Sequence, residues 1–247
     1  MTVTVNPKWK AFHQILPIVA SFEGTGYDGV TGNFDGCGIT FGVIGFNIKQ
    51  GSGISLLENL FKKAPLDAYQ LVGESGWHPN WTSKNWLNWA NIVTVEGSSY
   101  VKPMVADKIR ILIGSEQGRK TQDSQAWEVY GQRAWYFCEQ FGFTTYRQLL
   151  FALDTTVQQG GFRRKALDVW QKTKSLKNVG QYMASLALPQ WKSDVLQRRM
   201  LIATGAGIVH GRRRNFSYEY NLDLDQRLPV TMASTVKEPP SLESRVD

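Results

Sequence analysis

The sequence predicts an α+β fold that is mainly α-helical and contains one small β element. Apolar residues recur at three- and four-residue spacing along most of the chain, which is the period of a helix with one buried face. Strand signals are sparse outside residues 27–46. The 247 residues, 42% of them hydrophobic, are enough for a proper core, so disorder is excluded as the main interpretation.

The first helix is predicted from Pro7 to Glu23. Proline suits the first turn of a helix, where a missing N–H is harmless. The helical period then breaks, and six glycines occur between residues 24 and 38. This composition predicts tight turns or a short irregular hairpin, followed by an apolar run at residues 39–46.

The remainder of the chain is predicted to be helical, with proline and glycine residues at the helix margins. The predicted helices cover residues 55–63, 66–73, 104–113, 124–141, 145–158, 162–172, 178–186 and 192–204. Residues 228–247 carry prolines with polar residues and no apolar period, which predicts a flexible tail.

Composition narrows the classes of protein and partner. The formal charge of +7 favours an anionic partner, such as nucleic acid, an anionic lipid face or an acidic wall polymer. No apolar run reaches the roughly 18 residues that span a bilayer, so no membrane insertion is expected. The first thirty residues show no conventional secretory signal. Two cysteines, Cys37 and Cys138, provide no disulfide framework, so packing must stabilise the fold.

Most common catalytic sites are excluded by their missing motifs. The GxGxxG string at residues 24–29 follows a helix, whereas a dinucleotide site needs it after a strand. The three histidines are far apart and none lies in an HExxH motif, so no metal is expected. No GxSxG turn is present for a serine hydrolase. Acid–base catalysis by carboxylates is the class of mechanism that remains.

Three carboxylates lie close together in the sequence: Glu23 at the helix end, and Asp28 and Asp35 in the glycine-rich segment. Glycosidic hydrolysis uses such a pair, in which one acid protonates the leaving oxygen and one carboxylate acts as base or nucleophile. Thr40 could hold a water with its hydroxyl group. The same residues would also fit a helix end and ordinary turns, and spacing alone does not decide between these interpretations.

The string from Asp35 to Phe46 (DGCGITFGVIGF), with Glu23 upstream and Gly51-Ser52-Gly53 downstream, resembles the signature of glycoside hydrolase family 46 chitosanases. That family belongs to the lysozyme-like superfamily. The match covers residues 20–60 well. A second, weaker match at Leu149 to Gly161 (LLFALDTTVQQGG) is similar to the family's central helix with its buried aspartate.

The resemblance implies a two-lobed lysozyme-like domain over residues 1–227, with a substrate cleft between the lobes. The minor lobe would cover about residues 24–100. The major lobe would cover about residues 101–227 together with the N-terminal helix. A monomer that acts on a polysaccharide without any cofactor is expected.

The resemblance also assigns roles. Glu23 would be the general acid, Asp35 the general base of an inverting reaction, and Thr40 the residue that holds the water. Asp154 would belong to a charged network around Glu23, with Arg198 and Arg199 as candidate arginines by position. The residues assigned to substrate binding are Asp28, Gly45, Gly53, Asp154 and Arg198. Whether Asp28 or Asp35 is the second carboxylate stays open.

Three positions depart from the family pattern. The connection from Glu23 to Asp35 is short, Cys37 replaces a basic residue, and Ile54 stands where an aspartate is expected to bind the glucosamine amine. The short connection leaves inverting and retaining geometry both open, and the missing aspartate indicates that substrate recognition has drifted.

Peptidoglycan is therefore the rival substrate, because a +7 protein is attracted to its acidic groups and repelled by cationic chitosan. The arrangement around Glu23 to Gly42 also resembles phage-type lysozymes. We expect action outside the producing cell or in its wall or periplasm, after lysis, specialised secretion or phage release.

Two further features have competing interpretations. Trp77, Trp81, Trp86 and Trp89 could line a sugar cleft, but core packing is the favoured interpretation. Short basic clusters, such as Arg212-Arg213-Arg214, raise nucleic-acid binding as an alternative, although no recognition motif accompanies them. A wall-binding module without catalysis is the other non-enzyme alternative.

Overall fold

The computed structural model of the protein describes residues 6–23, 26–63 and 81–229. These residues form two compact units. The helical unit contains the chain up to Phe22 and from Tyr130 onward, and the sheet unit contains Glu23 to Val129. Each unit has its own core and is described separately.

The described part of the chain contains both helices and short strands. The helices are α1 (Pro7–Glu23), α2 (Ser52–Lys63), α3 (Ser83–Val93), α4 (Pro103–Gly114), α5 (Glu116–Ala126), α6 (Gln132–Phe141), α7 (Tyr146–Gln159), α8 (Arg164–Thr173), α9 (Leu176–Ser185), α10 (Lys192–Thr204) and α11 (Phe216–Tyr220), with a π-helix at Trp127–Gly131 and a 3-10 turn at Pro189–Trp191. The strands are β1 (Val30–Thr31), β2 (Thr40–Phe41), β3 (Phe46–Asn47), β4 (Ala206–Val209) and β5 (Arg212–Asn215).

The strands form two small antiparallel sheets. In the sheet unit the order is β1-β2-β3, and Thr40 pairs with Thr31 on one side and Asn47 on the other. In the helical unit β4 and β5 form a hairpin. Its turn residues, His210 and Gly211, have φ values of 49° and 73°, as expected of a two-residue hairpin loop.

Helix α7 is the centre of the helical unit. Its residues 149–156 are all buried, so the helix is covered on every side. Helices α6 and α10 pack against it, and α9 packs against α10. Close approach of α9 depends on Gly180, because a β-carbon there would lie 2.9 Å from the β-carbon of Arg199.

An aromatic cluster forms part of the core of the sheet unit. The ring of Trp86 is fully buried and contacts Phe61, Trp81 and Trp89 at centroid distances of 6.1, 5.0 and 5.6 Å. Trp86 and Trp89 are therefore core residues, which confirms the packing interpretation for both. Trp77 lies outside the described residues.

Residues 224–228 run beside the first turn of α7. The Arg147 amide donates to the carbonyl of Leu224, and the Leu228 amide donates to the carbonyl of Thr144. The guanidinium of Arg147 binds the Asp225 carboxylate through two hydrogen bonds. Leu228 is thus part of the fold, so the prediction of a flexible tail from residue 228 is wrong at this residue. Residues 230–247 lie outside the described residues.

The prediction of a mainly helical fold with a small antiparallel sheet is confirmed. The predicted helices at residues 7–23, 104–113, 145–158, 162–172, 178–186 and 192–204 lie within two residues of the observed ones. Helix α2 begins three residues earlier than predicted, directly after Gly51, which has a φ of +79°. The predicted helix at residues 66–73 lies outside the described residues.

One expectation about the elements is wrong, and three elements were missed. Residues 124–141 are not one helix, because α5 ends at Ala126 and a π-helix separates it from α6. Helices α5 and α3 and the hairpin of β4 and β5 were not predicted. Helix α5 shows no apolar period because its buried side chains are mostly polar, including Thr121, Gln122 and Gln125.

Among the described residues, no helix has the length and apolar character needed to cross a bilayer.

Candidate active site

Glu23 is the last residue of α1, and its side chain is half-buried. One carboxylate oxygen, Oε2, lies 3.9 Å from the place that a β-carbon would take at Gly45. The γ-methyl group of Thr40 lies 3.4 Å from that same place. The structure therefore brings Glu23, Thr40 and Gly45 together in the sheet unit.

The turn at residues 42–45 connects β2 to β3 and determines where Gly45 lies. Gly42 and Gly45 have φ values of +78° and +68°, in the region that favours glycine. The Gly45 amide donates to the Gly42 carbonyl, and the Gly42 amide donates to the carbonyl of Gly29. A side chain at Gly42 would also collide with Gln122, whose Oε1 would lie 2.3 Å from the added β-carbon.

Gln122 joins three separate segments of the sheet unit. Its Oε1 accepts a hydrogen bond from the Val43 amide at 2.8 Å. Its Nε2 donates to the carbonyls of Tyr27 at 2.9 Å and Ile113 at 2.8 Å. The side chain is fully buried, and both its oxygen and its nitrogen are hydrogen-bonded.

Tyr27 is held at both ends by neighbouring residues of α5. Gln122 binds its carbonyl, and its hydroxyl donates to Asp123 Oδ1 at 2.6 Å. The guanidinium of Arg119 lies 5.7 Å from the centroid of its ring. Burial and the Asp123 carboxylate raise the pKa of the Tyr27 phenol far above its ordinary value, so the hydroxyl stays protonated and donates.

Asp35 occupies the turn between β1 and β2, at the opposite end of β2 from the turn at residues 42–45. The side chain is exposed, and Oδ1 accepts a hydrogen bond from the Cys37 amide at 3.0 Å. Burial, followed by the Asp35 carboxylate, raises the pKa of the Cys37 thiol to about 11, while Lys49 opposes this shift. Asp35 is thus an exposed carboxylate on an ordered turn.

Asp28, Gly53 and Ile54 are the other residues of the sheet unit that the sequence analysis singled out. The β-carbon of Asp28 lies 3.3 Å from the place of a β-carbon at Gly114, the last residue of α4. A β-carbon at Gly53 would lie 2.8 Å from the carbonyl carbon of Asn47, so this glycine lets α2 approach β3. Ile54 is buried in the first turn of α2.

Asp154 lies on α7 in the interior of the helical unit and binds two arginines of α10. Arg198 Nη2 donates to Oδ1 at 2.5 Å, and Arg199 Nη1 donates to Oδ2. Arg199 also donates to Gln159 Oε1 at 3.1 Å. All three charged side chains are buried, which favours a supporting role over direct contact with substrate.

The aromatic faces beside these arginines complete the network. The guanidinium of Arg198 lies 4.7 Å from the ring centroid of Phe22, and that of Arg199 lies 5.8 Å from the ring centroid of Phe151. Stacking on an aromatic face stabilises a desolvated cation. The network therefore packs against the end of α1, directly before Glu23.

The structure thus groups the predicted residues into separate clusters. Glu23, Thr40 and Gly45 form one cluster, and Asp154, Arg198 and Arg199 form another, while Asp35 lies in its own turn. The sequence analysis did not identify Gln122, because a single buried glutamine in a polar helix leaves no periodic signal. It also did not identify Tyr27, whose carbonyl is bound by Gln122. Within the described residues, no group of three or more histidine, cysteine or acidic side chains could hold a metal ion.

The chain matches no protein-family model and no curated protein sequence. Among solved structures, it is similar to a GH46 chitosanase of Gynuella sunshinyii in complex with chitotetraose. The TM-score is 0.55 at 15% identity, and the match covers 93% of this chain and 100% of that one.

Two further solved chitosanases give similar values. A mutant chitosanase from Bacillus subtilis MY002, complexed with 6 GlcN, has a TM-score of 0.53 at 17% identity, and the match covers 90% of this chain and 94% of that one. Chitosanase OU01 with substrate has a TM-score of 0.54 at 13% identity, with 85% and 97% covered. The resemblance to GH46 chitosanases is therefore confirmed for the fold, which is mainly α-helical with a small antiparallel sheet.

The buried network predicts a large loss of stability in Asp154→Asn. The change leaves two buried guanidinium groups without their shared carboxylate, and breaking such a pair costs about 3–5 kcal/mol. Asp225→Asn is the matched control, because its carboxylate pairs with Arg147 but is 71% exposed, and it should cost about 1 kcal/mol or less. Urea unfolding followed by circular dichroism measures both. Equal losses would contradict the role assigned to Asp154.

The Asp35 turn predicts slow alkylation of Cys37 at neutral pH, since its thiol has a pKa of about 11. Asp35→Asn should lower this pKa, because it removes the negative charge that opposes the thiolate, but burial should keep it above its ordinary value. The measurement is the rate of iodoacetamide labelling of Cys37 against pH, with exposed Glu96→Gln as control. An unchanged profile in Asp35→Asn would show that the turn differs from the one described.

Proposed function

We propose that this protein is an endo-acting glycoside hydrolase that cleaves the β-1,4 bonds of an amino-sugar polymer, with chitosan as the leading substrate. The observation that carries the proposal is the position of Glu23. Its carboxylate lies beside Thr40 and Gly45 on a fold shared with several chitosanases. Two of those chitosanases were solved with 6 GlcN or chitotetraose, which supports a sugar polymer as the ligand.

Glu23 is the proposed general acid, which protonates the glycosidic oxygen as the bond breaks. It ends a helix whose apolar face is buried, so the carboxyl group is held on a rigid element. Its half-buried side chain remains within reach of a substrate.

Asp35 is the proposed general base, and Thr40 helps to hold the attacking water. The exposed Asp35 carboxylate is oriented by the Cys37 amide and is available to a water molecule. In an inverting reaction the two carboxyl groups stand about 6.5–9.5 Å apart, which leaves room for that water. The two carboxylates supply both proton steps, so the proposed reaction needs no cofactor.

Peptidoglycan is the second candidate substrate, and two observations favour it. The protein has a formal charge of +7, which repels a polycation and attracts a polymer with acidic groups. Ile54 is an apolar, buried residue where the resemblance leads us to expect an aspartate that binds an amine. On this alternative, the protein is a wall hydrolase built on the same fold, acting outside the producing cell.

The test is the release of reducing ends from soluble chitosan and purified peptidoglycan in parallel, at low and moderate salt. We expect Glu23→Gln and Asp35→Asn each to reduce turnover by about 10²–10⁴-fold, because each removes one proton-transfer step. Both substitutions preserve side-chain size, so thermal unfolding should be little changed. Asp28→Asn is the matched control for the second carboxylate.

The outcomes separate the alternatives. Near wild-type turnover in Glu23→Gln or Asp35→Asn would remove that residue from the mechanism, and loss in Asp28→Asn alone would make Asp28 the second carboxylate. Cleavage of peptidoglycan alone would make it the substrate. If the wild type releases no reducing ends from either polymer but binds one, a wall-binding module remains. Steeply salt-dependent DNA binding would indicate a nucleic-acid-binding protein.

Ile54→Asp tests which amino sugar the protein recognises. Residue 54 lies in the first turn of α2, where the helix dipole stabilises a carboxylate, and its side chain is buried, so a charge there must be paired to be tolerated. If chitosan is the substrate, the new carboxylate should bind a glucosamine ammonium group and lower KM for chitosan by about tenfold, as expected of a charge-assisted hydrogen bond. The control is Ile54→Asn, which is equally polar but uncharged. Equal KM values for the two variants would contradict an amine-binding role at this position.

A further inference from the structure

We propose that Gln122 is a positioning residue for the hydrolytic reaction, acting through the turn at residues 42–45. The inference rests on the proposed function, since it concerns the surroundings of Glu23. Gln122 does not reach the reacting atoms. It fixes the backbone of the turn that carries Gly45, and Gly45 lies beside the Glu23 carboxylate and Thr40.

The contacts of Gln122 require both functions of an amide side chain. The Val43 amide needs an acceptor, and the carbonyls of Tyr27 and Ile113 need donors. A glutamine supplies one oxygen and two N–H groups on a side chain of this length. A methionine or leucine would fill the space, but would leave all three buried backbone groups without this partner.

Gln122 binds two turn segments that follow the proposed acid in the chain. Tyr27 follows Glu23 by four residues, and Val43 lies between Thr40 and Gly45. Both are bound to one side chain of α5, while the Ile113 carbonyl ties that side chain to α4. Movement of either turn would therefore stretch a hydrogen bond inside the unit.

The neighbouring residues reinforce this arrangement. Gly42 has no side chain, which leaves the space that the Gln122 oxygen occupies. Asp123, the next residue of α5, holds the hydroxyl of Tyr27, so the two residues restrain both ends of that tyrosine. The turn at residues 42–45 thus combines a glycine with a glutamine whose oxygen occupies the space that the glycine leaves.

Gln125 provides an internal control on the same helix. It is buried to the same extent, with 4% of its surface exposed against 0% for Gln122. Its Oε1 accepts a hydrogen bond from Asn59 of α2 at 3.1 Å. That contact joins α5 to α2 and involves no residue of the turn at residues 42–45, so its loss should affect stability without affecting the turn.

Misplacement of a reacting group by about 1 Å costs on the order of 10²-fold in rate, because catalysis needs a narrow range of distances and angles. A loosened turn at residues 42–45 would let Thr40 and Gly45 shift relative to Glu23. The loss should then appear in kcat, while substrate groups bound elsewhere keep KM nearly constant. A purely structural glutamine would lower the folded fraction and leave kcat per folded molecule unchanged.

The experiment compares Gln122→Met with Gln125→Met in the full-length protein. Each variant keeps side-chain volume and removes the hydrogen bonds. Three quantities are measured: the free energy of unfolding in urea, the hydrogen exchange rate of the Val43 amide, and kcat and KM on whichever polymer the wild type cleaves. For Gln122→Met we expect the Val43 amide to exchange about tenfold faster. We expect kcat to fall by at least about tenfold with KM within about threefold.

Gln125→Met should be destabilised to a similar degree while it keeps the wild-type Val43 exchange rate and kcat. The proposal is overturned if both variants lose the same fraction of kcat, if the loss in Gln122→Met lies in KM alone, or if Val43 exchange is unchanged. Should the wild type cleave neither polymer, the proposed function and the catalytic part of this inference fail together. Val43 exchange would then still decide separately whether Gln122 restrains the turn.

Discussion

The helical unit is organised around two guanidinium groups that share one carboxylate away from water. Burying such charges is costly unless they are paired and hydrogen-bonded, so Asp154 on α7 and the two arginines on α10 must meet in one register. A slip of α10 by one residue would leave charges in an apolar interior. Because Arg198 also stacks on Phe22, the same constraint extends to the last turn of α1. The helix that ends at Glu23 is thereby fixed by electrostatics as well as by apolar packing.

The turns of the sheet unit need a different kind of stabilisation. Its strands are only two residues long, so the hydrogen bonds between strands cannot hold the turns alone. Backbone groups in the turns are instead bound by buried side chains, with Gln122 as the clearest example. Glycines occupy the places where such side chains approach the backbone most closely, as at Gly42. The glycine-rich sequence thus reflects crowding within the fold as well as the need for unusual φ values.

Long helices with an apolar face could be predicted from sequence, because burial of that face sets their period. Two of the elements that were not predicted lack an apolar pattern, whereas α3 was missed although its buried side chains, Trp86, Trp89, Ala90 and Val93, are apolar. Helix α5 buries Gln122 and Gln125, and β5 consists of three arginines and an asparagine, so neither carries an apolar pattern. For the site, the sequence predicted Glu23 at a helix end and Thr40 as a residue that holds water, while Gly45 came from the resemblance alone. Gln122 depended on contacts across more than 75 residues, which no local pattern reveals.

The pairing of residues 224–228 with the first turn of α7 bears on how the chain can be altered. That turn opens the most buried helix of its unit, and its amides at Tyr146 and Arg147 are bound by carbonyls of this segment. A protease that cut ahead of Leu222 would strip these partners from the helix, whereas a fusion partner or affinity tag joined beyond Pro229 would leave them in place. Any shortening of the protein that removes residues 224–228 would therefore unpair backbone groups at the start of α7.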